Sequence, residues 1–347
     1  MVSVLDSLNA GLQRAFARDE GVMLLGEDVL DPYGGAFKVT RGLSMAFPGR
    51  VLSTPISEAA IVGMAAGLAL RGLRPVVEIM FGDFVTLAAD QLINHAAKFR
   101  WMYAEQVRVP LVVRTPMGGR RGYGPTHSQS LEKLFLGIPG LGVLAPCSLG
   151  DPGALLEQAI LETGDPLLFV ENKLLYLLPV QAFEPGGEFV VETSRAPYRG
   201  EDSGLQLPDC PAYRLRLNGA PPAVLTVAAY GYMAELARQA VARLAYEHEL
   251  FAELVVPTRL APADLEAVLA SCRQTGRLLA IEEGSGEFGW GAGVLARAAC
   301  EPGLRLQAAE LLCGRSLPVP ASRPLEEAVL PGVEQIMQFC LKLVQKR

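Results

Sequence analysis

Through residue 173 the chain alternates short apolar runs, several of them β-branched, with helix-length segments. RPVVEIMF (74–81), VPLVVRTP (109–116), LGVLAPCS (141–148) and DPLLFVENK (165–173) read as strands. Between them lie segments with helical spacing, such as SEAAIVGMAAGLALRG (57–72) and LGDPGALLEQAILETG (149–164). Runs apolar on both sides, joined by helices, predict an α/β fold with a mostly parallel sheet covered on both faces. Residues 3–18 predict a first amphipathic helix, GVMLLGEDV (21–29) a strand and 84–106 a long helix.

At 347 residues the chain exceeds one ordinary core, so two domains are expected. Residues 181–221 are rich in Pro, Gly and charge and hold no period for long. They read as a linker with short strands near its ends, dividing a domain at 1–180 from one at 222–347. The second domain alternates again: a strand at 222–231, a helix at 233–250, a strand over 251–262, a helix at 263–276, a strand at 277–284, a helix at 288–301, a strand at 304–311 and a final helix near 325–343.

Charge and cysteine content exclude some functions. The net charge of −6 and scattered basic residues, paired tightly only at Arg120–Arg121 and the C-terminal Lys-Arg, give no footprint for nucleic acid. No uncharged apolar run approaches the length of a membrane span. Six widely spaced cysteines without a CxxC pair fit reduced thiols in a cytoplasmic protein.

In such sheets ligands gather at the carboxyl ends of the strands. Glu27–Asp28, Thr54–Glu58, Met80–Phe84 and Thr115–His127 all follow predicted strands. Three histidines occur. His127 lies in the glycine-rich loop GYGPTHSQSLEK, where an imidazole could transfer protons near neutrality or be an ordinary turn residue. His95 reads as a core histidine and His248 as exposed. Glu58 opens a helix, as a functional carboxylate or a plain charge match to the helix end. Glu282–Glu283 is an unspecific acidic pair. Neither GxGxxG at a first strand nor GxxxxGK[ST] occurs, and the glycines of EEGSGEFGWGAG (282–293) read as tight turns and close helix packing.

The stretches LLGEDV, TPISEAAIVGMAAGLALRGLRPVVEIMFGDF, PLVVRTPMGG, THSQSLEK, TGRLLAIEEG and LPVP…LEEAVLP, in this order, resemble the beta subunit of the thiamine-diphosphate-dependent E1 component of 2-oxo acid dehydrogenase complexes, the pyruvate, branched-chain and acetoin group. The resemblance implies a transketolase-like pyrimidine-binding domain followed by a transketolase C-terminal domain. It implies a thiamine diphosphate site shared with an E1 alpha-like subunit in an α2β2 heterotetramer. That partner carries the GDG…N motif for diphosphate and Mg2+, which this chain lacks. By resemblance Glu58 matches the glutamate at N1′ of the aminopyrimidine, Glu27 an acid supporting it, and Phe84 the aromatic residue packed on the pyrimidine. His127 matches the histidine facing the 2-oxo acid and the lipoyl group of the E2 acyltransferase. Carbonyls around residues 111 and 160–165 resemble a K+ site of some relatives, although ILETGDP departs from their shorter wording. A transketolase-like ketol or acyl transfer subunit and a non-catalytic scaffold of the same fold are the alternatives.

Overall fold

The computed structural model describes residues 2–184, 186–196 and 204–346. Part of the segment read as a linker, residues 185 and 197–203, lies outside them. The chain forms two compact units. The first comprises Met1–Met117, Leu134–Val180 and Pro197–Asp209; the second comprises Gly118–Lys133, Gln181–Ala196 and Cys210–Arg347.

The first unit begins with α1 (Val4–Arg18), whose N-cap Ser3 accepts the Asp6 N–H at 3.1 Å. Then follow β1 (Val22–Gly26), α2 (Leu43–Ala46), β2 (Val51–Ser53), α3 (Glu58–Leu70), β3 (Arg74–Glu78), α4 (Ala97–Met102), β4 (Val112–Met117), β5 (Gly142–Leu144), α5 (Pro152–Glu162) and β6 (Leu167–Asn172). Its strands lie in the order β5-β6-β4-β3-β1-β2, and every pair in that series is parallel. The chain leaves β1 to one side for β2 and returns to the other side for β3. That reversal opens a crevice beyond the carboxyl ends of β1 and β3.

One long helix over 84–106 is not what forms. The segment winds as a 3-10 helix at Gly82–Ala88, a π-helix at Gln91–Ala96 and then α4. Changes of winding of this kind let a helix re-aim its side chains. His95, on the π turn, is not a core residue: its side chain is 43% exposed, near Asp90. Helix α1 crosses α5 through glycine. A Cβ on Gly11 would overlap the Gly153 backbone, and one on Gly153 would overlap the Ser7 carbonyl. Ser7 also donates to Asp151, the α5 N-cap, at 2.6 Å, so the contact joins close packing to capping.

The second unit contains β7 (Phe189–Ala196), β8 (Cys210–Leu217), β9 (Leu225–Ala229), α6 (Gly231–His248), β10 (Ala252–Pro257), β11 (Arg259–Ala261), α7 (Glu266–Thr275), β12 (Arg277–Ser285), α8 (Trp290–Cys300), β13 (Ala308–Gly314), α9 (Arg323–Val329) and α10 (Val333–Gln345). Its sheet runs β13-β12-β9-β10-β8-β7. The first four strands are parallel, and β8 and β7 close the edge antiparallel. Thus residues 189–196 and 210–217, within the stretch read as a linker, are two paired strands of eight residues each. Their Pro and Gly neighbours mask the alternation that marks them. The single helix read over 325–343 is broken at Pro331 into α9 and α10, because proline lacks the N–H that continues a helix.

The glycines of EFGWGAG make room for a carboxylate. A Cβ on Gly289 would overlap the carboxyl group of Glu282, and one on Gly291 would crowd it. Glu282 is 1% exposed, and burial pushes its pKa up to about 7, although the Gly291 and Trp290 N–H groups at the start of α8 favour the charge. No helix among the described residues is long and apolar enough to cross a membrane. None of the six cysteines is in a disulfide.

Two outcomes follow from this packing. Gly11→Val should destabilise the protein by about 1–3 kcal/mol, the usual cost of overpacking, and urea denaturation measures it. An unchanged midpoint would mean that the α1–α5 crossing tolerates a side chain. For Glu282 the folded-state pKa lies above the unfolded one. Its contribution is therefore complete below pH ~4.5 and lost as pH rises through about 7. Glu282→Gln should remove a stability loss of up to about 3 kcal/mol between pH 5 and 8. Equal pH slopes for the two proteins would exclude Glu282 as the titrating group.

Candidate functional site

Three of the four sequence-predicted residues follow strands of the first unit. Glu27 directly follows β1, and Glu58 is the first residue of α3. Both carboxylates are buried, at 7% and 5% exposure. Burial pushes the Glu27 pKa up, and the neighbouring charges of Glu58 and Asp28 push it further. One Glu27 carboxyl oxygen is buried with no hydrogen-bond partner, and so is the hydroxyl of Thr54, whose N–H donates to Gly26 at 3.0 Å. Buried polar atoms without partners are rare and costly. Here they lie at the crevice where the sheet order reverses, so a polar ligand is the natural partner.

Phe84 stands on the 3-10 turn after β3, half-buried. It begins a run of aromatic contacts. Phe84 meets Phe81 edge-on at 6.0 Å between ring centroids, Phe81 meets Phe37 at 5.6 Å, and Phe37 meets Tyr176 at 5.4 Å. The turn packs tightly, since a Cβ on Gly82 would overlap Met117.

Beneath the rim lies a charged network that sequence reasoning missed. Arg114 on β4 is 1% exposed and donates to Glu78, its register partner on β3, and to Glu171 on β6. The Tyr176 hydroxyl donates to Glu171. Burial works against the Arg114 charge, but Glu171 and Glu78 outweigh it and raise its pKa. Lys173, also buried, stands 5.3 Å from the Phe81 ring centre. The available signal was an arginine and two glutamates inside otherwise apolar strand runs.

A monovalent cation does not fit where the resemblance placed one. Arg74 donates to the carbonyls of Ile160 and Thr163 at 3.1 and 2.9 Å and pairs with Asp19. The Leu111 carbonyl accepts the Leu167 N–H, and the Asp165 carbonyl accepts the Thr163 hydroxyl. The Arg74 guanidinium thus brings its own positive charge to the Ile160 and Thr163 carbonyls, which do not also fit K+. Among the described residues no group of three or more His, Cys, Asp or Glu side chains could hold a metal.

His127 falls in the other unit, on the segment Gly118–Lys133. The loop turns through left-handed backbone at Gly118, Gly122 and Gly124, which glycine adopts without strain. The Gly118 N–H donates to the Gln129 carbonyl at 3.1 Å and closes it. His127 is half-buried, with Nδ1 3.0 Å from the Thr126 hydroxyl and its N–H on the Gly124 carbonyl. A cavity of about 590 Å³ is lined by Thr126, Ser128 and Lys133 of the loop and by Glu283, Val319 and Leu330. The buried Ser128 hydroxyl has no hydrogen-bond partner. Glu132 is buried and accepts from the Tyr230 hydroxyl at the start of α6.

Comparison with known proteins agrees with this architecture. Residues 1–178 match the transketolase pyrimidine-binding domain and residues 222–336 the transketolase C-terminal domain. The chain is 34% identical to the beta subunit of acetoin:2,6-dichlorophenolindophenol oxidoreductase of Cupriavidus necator, covering 99% of this chain and 98% of that protein. It is 36% identical to the mitochondrial pyruvate dehydrogenase E1 component subunit beta-1 of Arabidopsis thaliana, covering 97% and 88%. It is 34% identical to the 3-methyl-2-oxobutanoate dehydrogenase subunit beta of Mycobacterium tuberculosis, covering 100% and 92%. Among solved structures, a split-gene transketolase described as an inactive beta4 tetramer superposes with a TM-score of 0.71 at 19% identity, covering 100% and 99% of the two chains. Two transketolase-type domain matches and full-length relatives above 30% identity establish that this chain belongs to the beta subunits of the thiamine-diphosphate-dependent E1 components of 2-oxo acid dehydrogenase complexes, enzymes of the transketolase-like superfamily.

Proposed function

We propose that this chain supplies the aminopyrimidine half of a thiamine diphosphate site, for oxidative decarboxylation of pyruvate or a branched-chain 2-oxo acid and reductive acylation of a lipoyl domain. The observation that carries the reading is the pair of buried carboxylates Glu27 and Glu58 at the β1/β3 reversal, with one Glu27 oxygen lacking a partner. Bound thiamine diphosphate supplies a nucleophilic carbon and an electron sink. Glu58 holds a proton at the pyrimidine N1′. Glu27, whose pKa burial raises, supports it. Phe84 packs on the pyrimidine ring. His127 faces the 2-oxo acid and the lipoyl group and moves a proton there.

The chain has no GDG…N motif, which supports a half-site. An E1 alpha-like subunit holds diphosphate and Mg2+ in an α2β2 heterotetramer, and an E2 acyltransferase presents the lipoyl domain. We place the assembly in the cytoplasm and divide the chain at 1–180, 181–221 and 222–347. The relatives' names point to acetoin, pyruvate and 3-methyl-2-oxobutanoate, so those three compounds form the first substrate panel.

The test is co-expression with a partner chain that carries the GDG…N motif, followed by that panel with a lipoyl domain supplied. Acylation with pyruvate or a branched-chain acid is expected. Acetoin turnover alone, or none with any of the three, overturns the reading. Before assembly, calorimetry should detect no saturable thiamine diphosphate binding to the isolated chain; tight binding would refute the half-site. In the assembled protein, Glu58→Ala should slow exchange of the cofactor C2 proton by at least about 10²-fold, the usual size of a general acid–base contribution. Unchanged exchange by NMR would remove Glu58 from its role. His127→Ala should lower lipoyl acylation at least as much as decarboxylation, and normal acylation in that variant would remove His127.

A further inference from the structure

The loop that carries His127 is anchored by two distant carboxylates that neither its own sequence nor the resemblance assigns. Glu326, on α9 and 2% exposed, accepts the Arg120 N–H on one oxygen at 2.6 Å and the Gly122 N–H on the other at 3.3 Å. Glu283, at the end of β12 and 5% exposed, accepts the Gly119 N–H at 2.7 Å and the Ser130 hydroxyl at 3.4 Å. Three backbone N–H groups within four residues therefore converge on buried carboxylates. Clustered backbone N–H groups form an anion-binding concavity, and this one is filled by the protein's own side chains. Hydrogen bonds to ionised acceptors are about twice as strong as neutral ones.

The local backbone fits the clamp. Gly119 has no room for a side chain, since a Cβ would stand 2.6 Å from Leu330 and 3.2 Å from Glu326. Arg120 is a non-glycine residue at φ +68°, a strained position that persists where its surroundings over-determine it. Its N–H is held by Glu326, and its guanidinium reaches the Pro331 carbonyl and lies 6.0 Å over the Tyr232 ring. The far side of the loop is held by Glu132 on Tyr230 and by Lys133, whose ammonium donates to the Ser285 hydroxyl and carbonyl and to the Glu287 carbonyl. Between the two anchors the Gly118 N–H on the Gln129 carbonyl closes the path on which His127 rides.

We infer that Glu326 and Glu283 are positioning residues for the reaction: they hold the 118–133 loop so that His127 meets the substrate in one geometry. The inference rests on the proposed role of His127. Glu326 carries the larger share, because its two oxygens hold two N–H groups at once. A displacement of about 1 Å can cost 10²-fold in rate when a reacting group is moved.

The test uses the assembled enzyme and a double-mutant cycle. Glu326→Ala should lower kcat for lipoyl acylation about ten- to hundredfold with little change in KM for the 2-oxo acid. Glu326→Gln, which keeps one carbonyl acceptor, should fall between it and the unaltered enzyme. In a His127→Ala background, Glu326→Ala should add no further loss. The three histidines give a second readout: NMR of labelled imidazoles should show His127 shifted in Glu326→Ala, with His95 and His248 unmoved. Should the alanine variant fail to fold, the glutamine variant and its spectrum carry the test. Full acylation in a folded Glu326→Ala enzyme, or an unmoved His127 signal, would overturn the inference and leave the role of His127 intact. Additive losses in the cycle would overturn it as well, by showing that Glu326 does not act through His127. Full acylation in His127→Ala would remove both.

Discussion

The arginine held between two glutamates inside the first sheet is the constraint on which the rim depends. Arg114 lies in the middle of the sheet, where its charge could not persist without compensation. Glu78 and Glu171 reach it from the strands on either side. That requirement ties the ends of β3, β4 and β6 to one register. A slip of one residue in any of the three strands would turn its member of the network to the opposite face. Buried ion pairs are weak evidence for net stability, but removing one partner strands a charge in the core. The network therefore favours one arrangement of the strand ends over near alternatives. The turn that carries Phe84 begins four residues after Glu78, and the Tyr176 hydroxyl on Glu171 leads through Phe37 and Phe81 to Phe84. The charged network and the aromatic run share Tyr176, so the position of Phe84 is tied to the pairing of Arg114.

Both units are wound in the same way. In the first, β1 lies between β2 and β3; in the second, β9 lies between β10 and β12. In each, the chain crosses from one side of that strand to the other, and buried carboxylates lie near the crossing: Glu27 after β1, Glu282 and Glu283 near the end of β12. What fills the space differs. In the first unit a Glu27 oxygen and the Thr54 hydroxyl have no protein partner. In the second, Glu283 is engaged by the 118–133 loop, and Glu282 is enclosed by the glycine-entered helix α8. A Glu282 oxygen also lacks a partner, so the two similar frames differ in what surrounds the carboxylates rather than in whether every acceptor is met.

The sequence made the strands legible where burial on both faces demands continuous apolar runs, as in RPVVEIMF and VPLVVRTP. It made Glu58 legible because a helix starting directly after a strand sets its first residue at the sheet rim. Other features depend on partners far away in the chain. The strands at 189–196 and 210–217 are stabilised by each other and by β10, so their Pro- and Gly-rich flanks read as linker. The 3-10 and π turns over 82–96 carry ordinary helical spacing, and they pack against α3 and β4, elements distant from them in the local pattern. Arg114 and Glu171 are 57 positions apart, and Arg120 and Glu326 are 206 apart. No local pattern announces such a pair. Gly119 was visible only as one more loop glycine until Leu330 and Glu326 filled the space beside it.

A loop's sequence specifies which conformations are allowed, and its anchors choose among them. Gly118, Gly122 and Gly124 can each turn left-handed at no cost, so the GYGPTHSQ stretch by itself is compatible with many paths for His127. A flexible segment of this kind gains precision only when its backbone donors have fixed acceptors, because those bonds must offset the entropy of ordering it. Here the acceptors come from the end of β12 and from α9, elements that carry none of the residues matched to the cofactor. The C-terminal stretch 222–347, in which no catalytic motif is read, thereby sets the geometry of the histidine. Substitutions near Glu283 or Glu326 therefore act on the His127 loop although they lie more than 150 positions along the chain from it.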